Sequence, residues 1–270
     1  MATTYDIGGN KVHVLRRGEG EPLLLIQGMS GNHLAWGEPF LADLERDFDV
    51  ITYDHRGIGL SDFVTDPFSI ADLAEDAAGV LDALGIESAH VMGISMGGMV
   101  AQELALRHPE RIRTLTLGCT YCGGEGSSLA SEGVVQQLGE AMLSGDRERA
   151  IRTGWEVNVS PGYGAEHSHF AVFYEMAQAH PAPVTVIMLQ AQAIQAHDTS
   201  ARLGEIDIPT LVIHGTEDQM IGVDNGRLIA SLIPGARLEI YDGVGHMFWW
   251  EQPERTAALV REHTGVGVVA

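Results

Sequence analysis

Gly93-Ile94-Ser95-Met96-Gly97 restricts what this chain can fold into more than any other segment. It follows Ser88-Ala89-His90-Val91-Met92, an apolar run that reads as a buried strand, and precedes residues 98–108, which carry a helical pattern. A strand, a Gly-x-Ser-x-Gly turn and a helix, in that order, make a nucleophile elbow. The turn crowds the positions two before and two after the serine, so hydrogen is the side chain that fits at Gly93 and Gly97. Ser95 is then exposed at a helix N-terminus, where backbone N–H groups and the helix dipole favour negative charge.

A serine hydroxyl needs a base, and the base needs an orienting acid. Both are available in the last third of the chain. Residues 209–214 form a β-rich run, with Glu217 and Asp218 just past its end. Residues 236–241 form another, followed by the loop Gly243-Val244-Gly245-His246. Asp218 and His246 thus both fall beyond strand C-termini, the edge at which open parallel sheets build sites. Glu217 is the rival acid, but alternation along the strand end points it elsewhere. No carboxylate directly follows the strand of residues 113–118, so no second position competes for that role.

With the chain order Ser, Asp, His, the sequence resembles the α/β-hydrolase superfamily over nearly its whole length, the middle segment being unspecific. Among the branches of that superfamily, Gly-Ile-Ser-Met-Gly-Gly-Met together with the turn Asp54-His55-Arg56-Gly57-Ile58-Gly59-Leu60-Ser61-Asp62 resembles small bacterial serine esterases, enol-lactone hydrolases and cofactor-free perhydrolases. Leu23-Leu24-Leu25-Ile26-Gln27-Gly28-Met29 resembles that family's strand ending in His-Gly-x, with Gln27 where His is usual. The resemblance implies a nucleophile Ser95, a base His246, an acid Asp218, and an oxyanion hole made by the backbone N–H groups of Met29 and Met96. It gives Arg56 a bracing role more than a ligand-binding one.

The remaining periodicity fits the same architecture. Residues 3–17 read as a hairpin, and strands are expected at 22–27, 49–53, 88–93, 112–118, 209–214 and 236–241. Helical patterns fall near 37–46, 69–84, 96–108, 223–232 and 253–264, with Ser69 a candidate cap. Such alternation predicts an α/β fold: a mainly parallel eight-stranded sheet with helices on both faces. Residues 1–119 and 205–270 would form the core. Residues 120–204 break the alternation, with helical patterns at 130–144, 146–157, 165–179 and 183–198, and read as an inserted helical cap entered through the flexible stretch 123–128. A lid above a sheet-edge site buries a small apolar ligand away from water. Gln27, Gly28, Met220, Met247, Trp155, Phe170 and Tyr174 are the expected pocket lining. Met29, Met96, Met220 and Met247 flank the chemistry, as gap fillers or as a soft, adaptable wall. Trp249 and Trp250 are expected to pack the last helix, with one of them free to wall the pocket.

Other patterns carry less. No His-Glu-x-x-His or comparable ligand spacing appears, and His167 and His169 have no third ligand near them in sequence, so no metal is expected. Cys119-Thr120-Tyr121-Cys122 sits at a strand end and not at a helix start, which favours buried thiols over a redox pair. Sixteen basic and 37 acidic residues give a net charge of −21, which argues against nucleic acid and anionic membranes as partners. No run approaches the ~20 apolar residues of a membrane span. No secretory leader pattern opens the chain, and two cysteines do not make a disulfide scaffold. The expectation is a bacterial cytoplasmic enzyme without a cofactor, monomer or homodimer. It would hydrolyse a small apolar carboxylic ester or lactone, with C–C bond hydrolysis and perhydrolysis as chemistries open to the same triad. A hydrolase-fold ligand sensor is the reading from a different class.

Overall fold

The computed structural model describes residues 2–267. Eight strands form one sheet: β1 (Ala2–Ile7), β2 (Asn10–Arg17), β3 (Glu21–Ile26), β4 (Phe48–Tyr53), β5 (Ala89–Ile94), β6 (Ile112–Gly118), β7 (Thr210–Gly215) and β8 (Arg237–Tyr241). Their spatial order is β1-β2-β4-β3-β5-β6-β7-β8. The hairpin β1–β2 and the β2–β4 pair are antiparallel, and every later pairing is parallel. Strand β5 therefore lies inside the parallel part, with β3 on one side and β6 on the other.

The inner strands of the sheet are buried on both faces, and the strand period of two sorts their residues between two apolar layers. On β3, Leu24 and Ile26 join one layer while Leu23 and Leu25 join the other. On β5, Ala89 and Val91 face the first layer, and Met92 and Ile94 the second. Each Leu, Ile, Val or Met side chain so removed from water stabilises the fold by about 1.5–3 kcal/mol before its entropy cost. Double-sided burial makes these strands near-continuous apolar runs, the pattern expected of parallel sheets.

Helices α1 (Glu38–Leu44), α2 (Ile70–Ala83) and α3 (Met96–Arg107) connect the first strands. Ser69 starts α2 through a reciprocal capping box with Asp72, satisfying two otherwise orphaned donors. Between β6 and β7 lie α4 (Glu132–Leu143), α5 (Arg147–Asn158), α6 (Pro161–Gly164), α7 (His167–Ala179) and α8 (Val184–Gln195). The chain ends with α9 (Asp224–Leu232), α10 (Phe248–Glu251) and α11 (Pro253–Thr264). Proline opens α11 and left-handed Gly265 closes it, each at the helix end it suits. The short turns α6 and α10 carry no 3.6-residue periodicity and were not expected from sequence. No helix among the described residues is long and apolar enough to cross a membrane.

The turn after β4 shows what Arg56 does. Its guanidinium is bidentate to Asp76 of α2, both contacts at 2.7 Å. Asp54 is fully buried and accepts from the backbone N–H groups of His33 and Leu60 and from the His33 ring. The turn thereby ties β4, α2 and the loop after β3 together.

Candidate active site

Ser95 stands between β5 and α3 at φ 54° and ψ −124°, a conformation that L side chains seldom adopt. Surrounding packing enforces it. A Cβ on Gly93 would lie 2.2 Å from the Gly97 carbonyl oxygen, and one on Gly97 would lie 2.1 Å from that of Ile26. Bonds from β6 and the turn after it anchor the elbow: Ser95 N–H donates to Gly118 O at 2.9 Å, and the Thr120 side-chain hydroxyl donates to Ser95 O at 2.7 Å. Gly28 closes over the serine, since a Cβ there would lie 3.0 Å from Ser95 Cβ and 3.5 Å from its Oγ.

Asp218 follows β7 by three residues and His246 follows β8 by five, so neighbouring parallel strands deliver both to one edge. His246 Nδ1 lies 2.7 Å from Asp218 Oδ2. The other carboxylate oxygen, Oδ1, accepts backbone N–H bonds from Met220 at 2.9 Å and Ile221 at 2.8 Å. Burial alone would raise the Asp218 pKa, but the His246 ring and its hydrogen-bond donors outweigh it and hold the carboxyl at about 2. For His246, burial opposes the charged ring, yet the facing Asp218 carboxylate lifts its pKa well above the ordinary histidine value. Cys119, fully buried at the end of β6, brings its sulfur within 4.8 Å of both partners. Burial pushes that thiol up, so it stays protonated at neutral pH.

Ser95, His246, Gln27, Gly28 and Met29 line one cavity of about 600 Å³. No direct hydrogen bond joins Ser95 Oγ to the His246 ring among the described residues. Among the same residues, the backbone N–H groups of Met29 and Met96 have no hydrogen-bond partner. Neighbouring amides are engaged: Gly28 N–H donates to Gln27 Oε1 at 2.8 Å, and Ser30 N–H to Gln190 Oε1 at 2.9 Å. Gln27, in the place of the usual histidine, thus braces the loop with its oxygen, while its buried amide nitrogen has no partner.

The cavity roof comes from the inserted helices. On α5 the lining residues Arg147, Ala150, Ile151, Gly154 and Asn158 follow helical spacing. On α7 and the residue after it, Phe173, Met176, Ala177 and His180 do the same. Met220, Met247 and Trp249 complete the apolar wall. Three expected lining residues are elsewhere. Trp155 is fully buried, with its ring against Tyr163, Phe173 and Trp250. Phe170 and Tyr174 pack on each other at 5.6 Å, with the Arg152 guanidinium 3.9 Å over the Phe170 ring. The reason is rotational: these three sit on helix faces turned away from the cavity, toward neighbouring helices. Cys119 and Cys122 are both buried and unbonded.

The loop bearing His246 is tied to the same roof. Met247 N–H donates to Asn158 O at 2.8 Å, and Glu251 accepts from both Gly245 N–H and Ser160 N–H. Away from the cavity's serine, ligand-type atoms of His13, His33 and Asp54 gather within 4.8 Å of one another. There the His33 ring nitrogen bonds Asp54, whose oxygens are already committed to N–H donors, so this cluster reads as a loop brace. Sequence reasoning overlooked His214, which is fully buried on β7 and has Nε2 3.2 Å from Asp218 Oδ2. Its one visible signal is its position directly before the glycine that ends the strand.

Comparison with known proteins adds the family. A protein named as carbamate hydrolase RutD in Azorhizobium caulinodans is 34% identical over 232 residues, covering 86% of each chain. A 2-hydroxymuconate semialdehyde hydrolase of a Pseudomonas species is 31% identical, over 93% of this chain and 89% of its own. The enol-lactonase of Burkholderia xenovorans superposes with a TM-score of 0.84 at 25% identity, covering 97% of this chain and all (100%) of that one. The sequence model for the alpha/beta hydrolase fold matches residues 21–253, and with that span the chain belongs to the α/β-hydrolase family.

Proposed function

We propose that the cavity is the active site of a serine hydrolase that cleaves carboxylic esters or lactones through an acyl-enzyme. One observation carries the reading. A serine held at a strained elbow opens into the same apolar cavity as an imidazole whose far nitrogen is fixed on a buried carboxylate. The hydrolase activity of the family supports it, and the enol-lactonase fold neighbour favours the lactone or ester class.

Ser95 Oγ attacks the carbonyl carbon while His246 Nε2 takes its proton. For that transfer the serine changes rotamer to close the Ser95–His246 contact, as apo geometries often require. Asp218 fixes the tautomer with the Nδ1 proton and stabilises the imidazolium. The free amides of Met29 and Met96 receive the oxyanion, each such donor contributing ~10²–10³ in rate. His246 then protonates the departing alkoxide. Water, activated by the same ring, releases the acid and restores Ser95. Helices α4 to α8 act as the cap, and their apolar stripes exclude bulk water from the acyl-enzyme.

C–C hydrolysis is the second reading, favoured by the muconate semialdehyde hydrolase relative. A paired assay separates the two. Multiple turnovers on p-nitrophenyl butyrate and a simple lactone, with no cleavage of a vinylogous diketone acid, support ester chemistry; the opposite pattern overturns it. Ser95→Ala removes nearly all turnover, by about 10⁶ for such nucleophiles. A phosphonate adduct mapped to any residue other than Ser95 would falsify the assignment. A single stoichiometric burst without turnover points instead to a ligand sensor.

A further inference from the structure

Resting on the triad reading above, we propose that His214 is a positioning residue for the acid: its Nε2–H donates to the Asp218 oxygen that also holds His246, and so sets the basicity of His246. His214 is fully buried on β7, where an apolar side chain would be the ordinary occupant. Its Nε2 lies 2.6 Å from Ile221 O and 3.2 Å from Asp218 Oδ2. Only acceptors face that nitrogen, so the ring proton sits there and is shared between them. The other nitrogen, Nδ1, is buried without a partner, against Gly226 of α9, where a Cβ would come within 2.7 Å. A half-satisfied imidazole in a core costs stability that a leucine or phenylalanine would not. Donation to the carboxylate 3.2 Å away offsets that cost.

That donor would be the fourth on the carboxylate: Asp218 Oδ1 takes the amides of Met220 and Ile221, Oδ2 faces His246 Nδ1 at 2.7 Å, and His214 Nε2 lies 3.2 Å from the same Oδ2. Each donor drains charge from the carboxylate. Without His214, Oδ2 is more basic, binds the His246 proton more strongly, and keeps the imidazolium to higher pH. Among the described residues, Cys119 just past β6 gathers within 4.8 Å of Asp218 and His246, and the Glu251 carboxylate accepts from Gly245 beside His246.

The test compares His214→Gln, which retains a donor at the same reach, with His214→Phe, which fills the space without one. In His214→Phe, kcat falls roughly three- to tenfold with KM steady, and the acidic limb of kcat/KM moves up by about half a unit or more. His214→Gln follows the parent profile. An unmoved limb in His214→Phe, or a His214→Gln profile that falls with it, overturns the proposal. Should the phenylalanine variant fail to fold, ring-¹⁵N histidine NMR of the unsubstituted protein and of Asp218→Asn decides. The His214 Nε2–H resonance shifts on that substitution if the bond is present, and stays in place if the proposal is wrong. This readout needs no turnover, so its failure is distinct from failure of the triad, which an active Ser95→Ala would reveal.

Discussion

Replacing Asp218 by Asn changes one oxygen to an NH₂ group and leaves the side-chain volume nearly intact. Two backbone N–H groups, from Met220 and Ile221, point at Oδ1, so the amide keeps its oxygen there. Its nitrogen then occupies the Oδ2 place and aims hydrogens at His246 Nδ1, 2.7 Å away in the parent. Donor would face donor, and the ring escapes by moving its proton to Nε2. That tautomer has no lone pair for Ser95. The expected loss in kcat is ~10⁴, or about 5.5 kcal/mol of transition-state stabilisation. Steady-state kcat on p-nitrophenyl butyrate gives the value, and circular dichroism checks that the fold persists. A loss below about tenfold, in a folded variant, would refute the tautomer argument. The same carboxylate makes a second, independent claim. Its pKa is depressed to about 2 in the folded chain, below an unfolded value near 3.9. The stability it contributes is present above the unfolded value and is lost as pH falls through about 2. Asp218→Asn therefore flattens the stability curve below pH ~4 relative to the parent, as denaturant titrations at stepped pH would record.

Three further outcomes follow from the geometry. The raised His246 pKa means that the free base appears only as pH climbs, so kcat/KM rises with a midpoint above 6.5, and a flat profile from pH ~5 to ~9 contradicts the base role. Gly28→Ala places a methyl 3.0 Å from Ser95 Cβ and displaces the nucleophile by a few tenths of an ångström; kcat drops about tenfold while the melting temperature holds, and an unchanged kcat would show that Ser95 is free to yield. Arg56→Ala strands the Asp76 carboxylate, only 3% exposed, and lowers stability by about 3–5 kcal/mol in urea titration, with kcat of the folded fraction preserved. A tenfold kcat loss there would instead give Arg56 a place at the substrate.

Short-range constraints made the elbow readable. Gly93 and Gly97 are needed because backbone atoms approach within about 2 Å of where their Cβ atoms would sit, and such a need appears directly as Gly-x-Ser-x-Gly. Strand ends were readable for a related reason, since two-sided burial leaves apolar runs with polar breaks, and Asp218 and His246 lie just beyond two of them. The segment between β6 and β7 was readable only as helices. Nothing in α7 distinguishes the stripe 173–176–177–180 from the stripe holding Phe170 and Tyr174, because both are apolar and the choice depends on which neighbour each face meets. The sequence reading put Trp155 at the cavity for the same reason: its indole instead closes a cluster with Tyr163, Phe173 and Trp250, which lie on other helices or in the C-terminal segment.

His214 and Cys119 show a different kind of illegibility. Both lie at strand ends in apolar runs, where a buried side chain of either type is unremarked by periodicity. Their significance comes from register. β7 pairs with β6 and β8 so that the end of each strand meets the next at one level, Gly118 opposite Ile213 and Gly215 opposite Tyr241. A shift of one residue along β7 would turn His214 to the other face and remove it from Asp218, and would carry the 218–221 turn away from His246. The positions of Asp218, of His214 and of Cys119 beside His246 thus depend on one strand register. A substitution that loosens β7 should therefore damage acid placement and the His246 pH dependence together, with the Ser95 elbow still held by its own bond to Gly118 of β6.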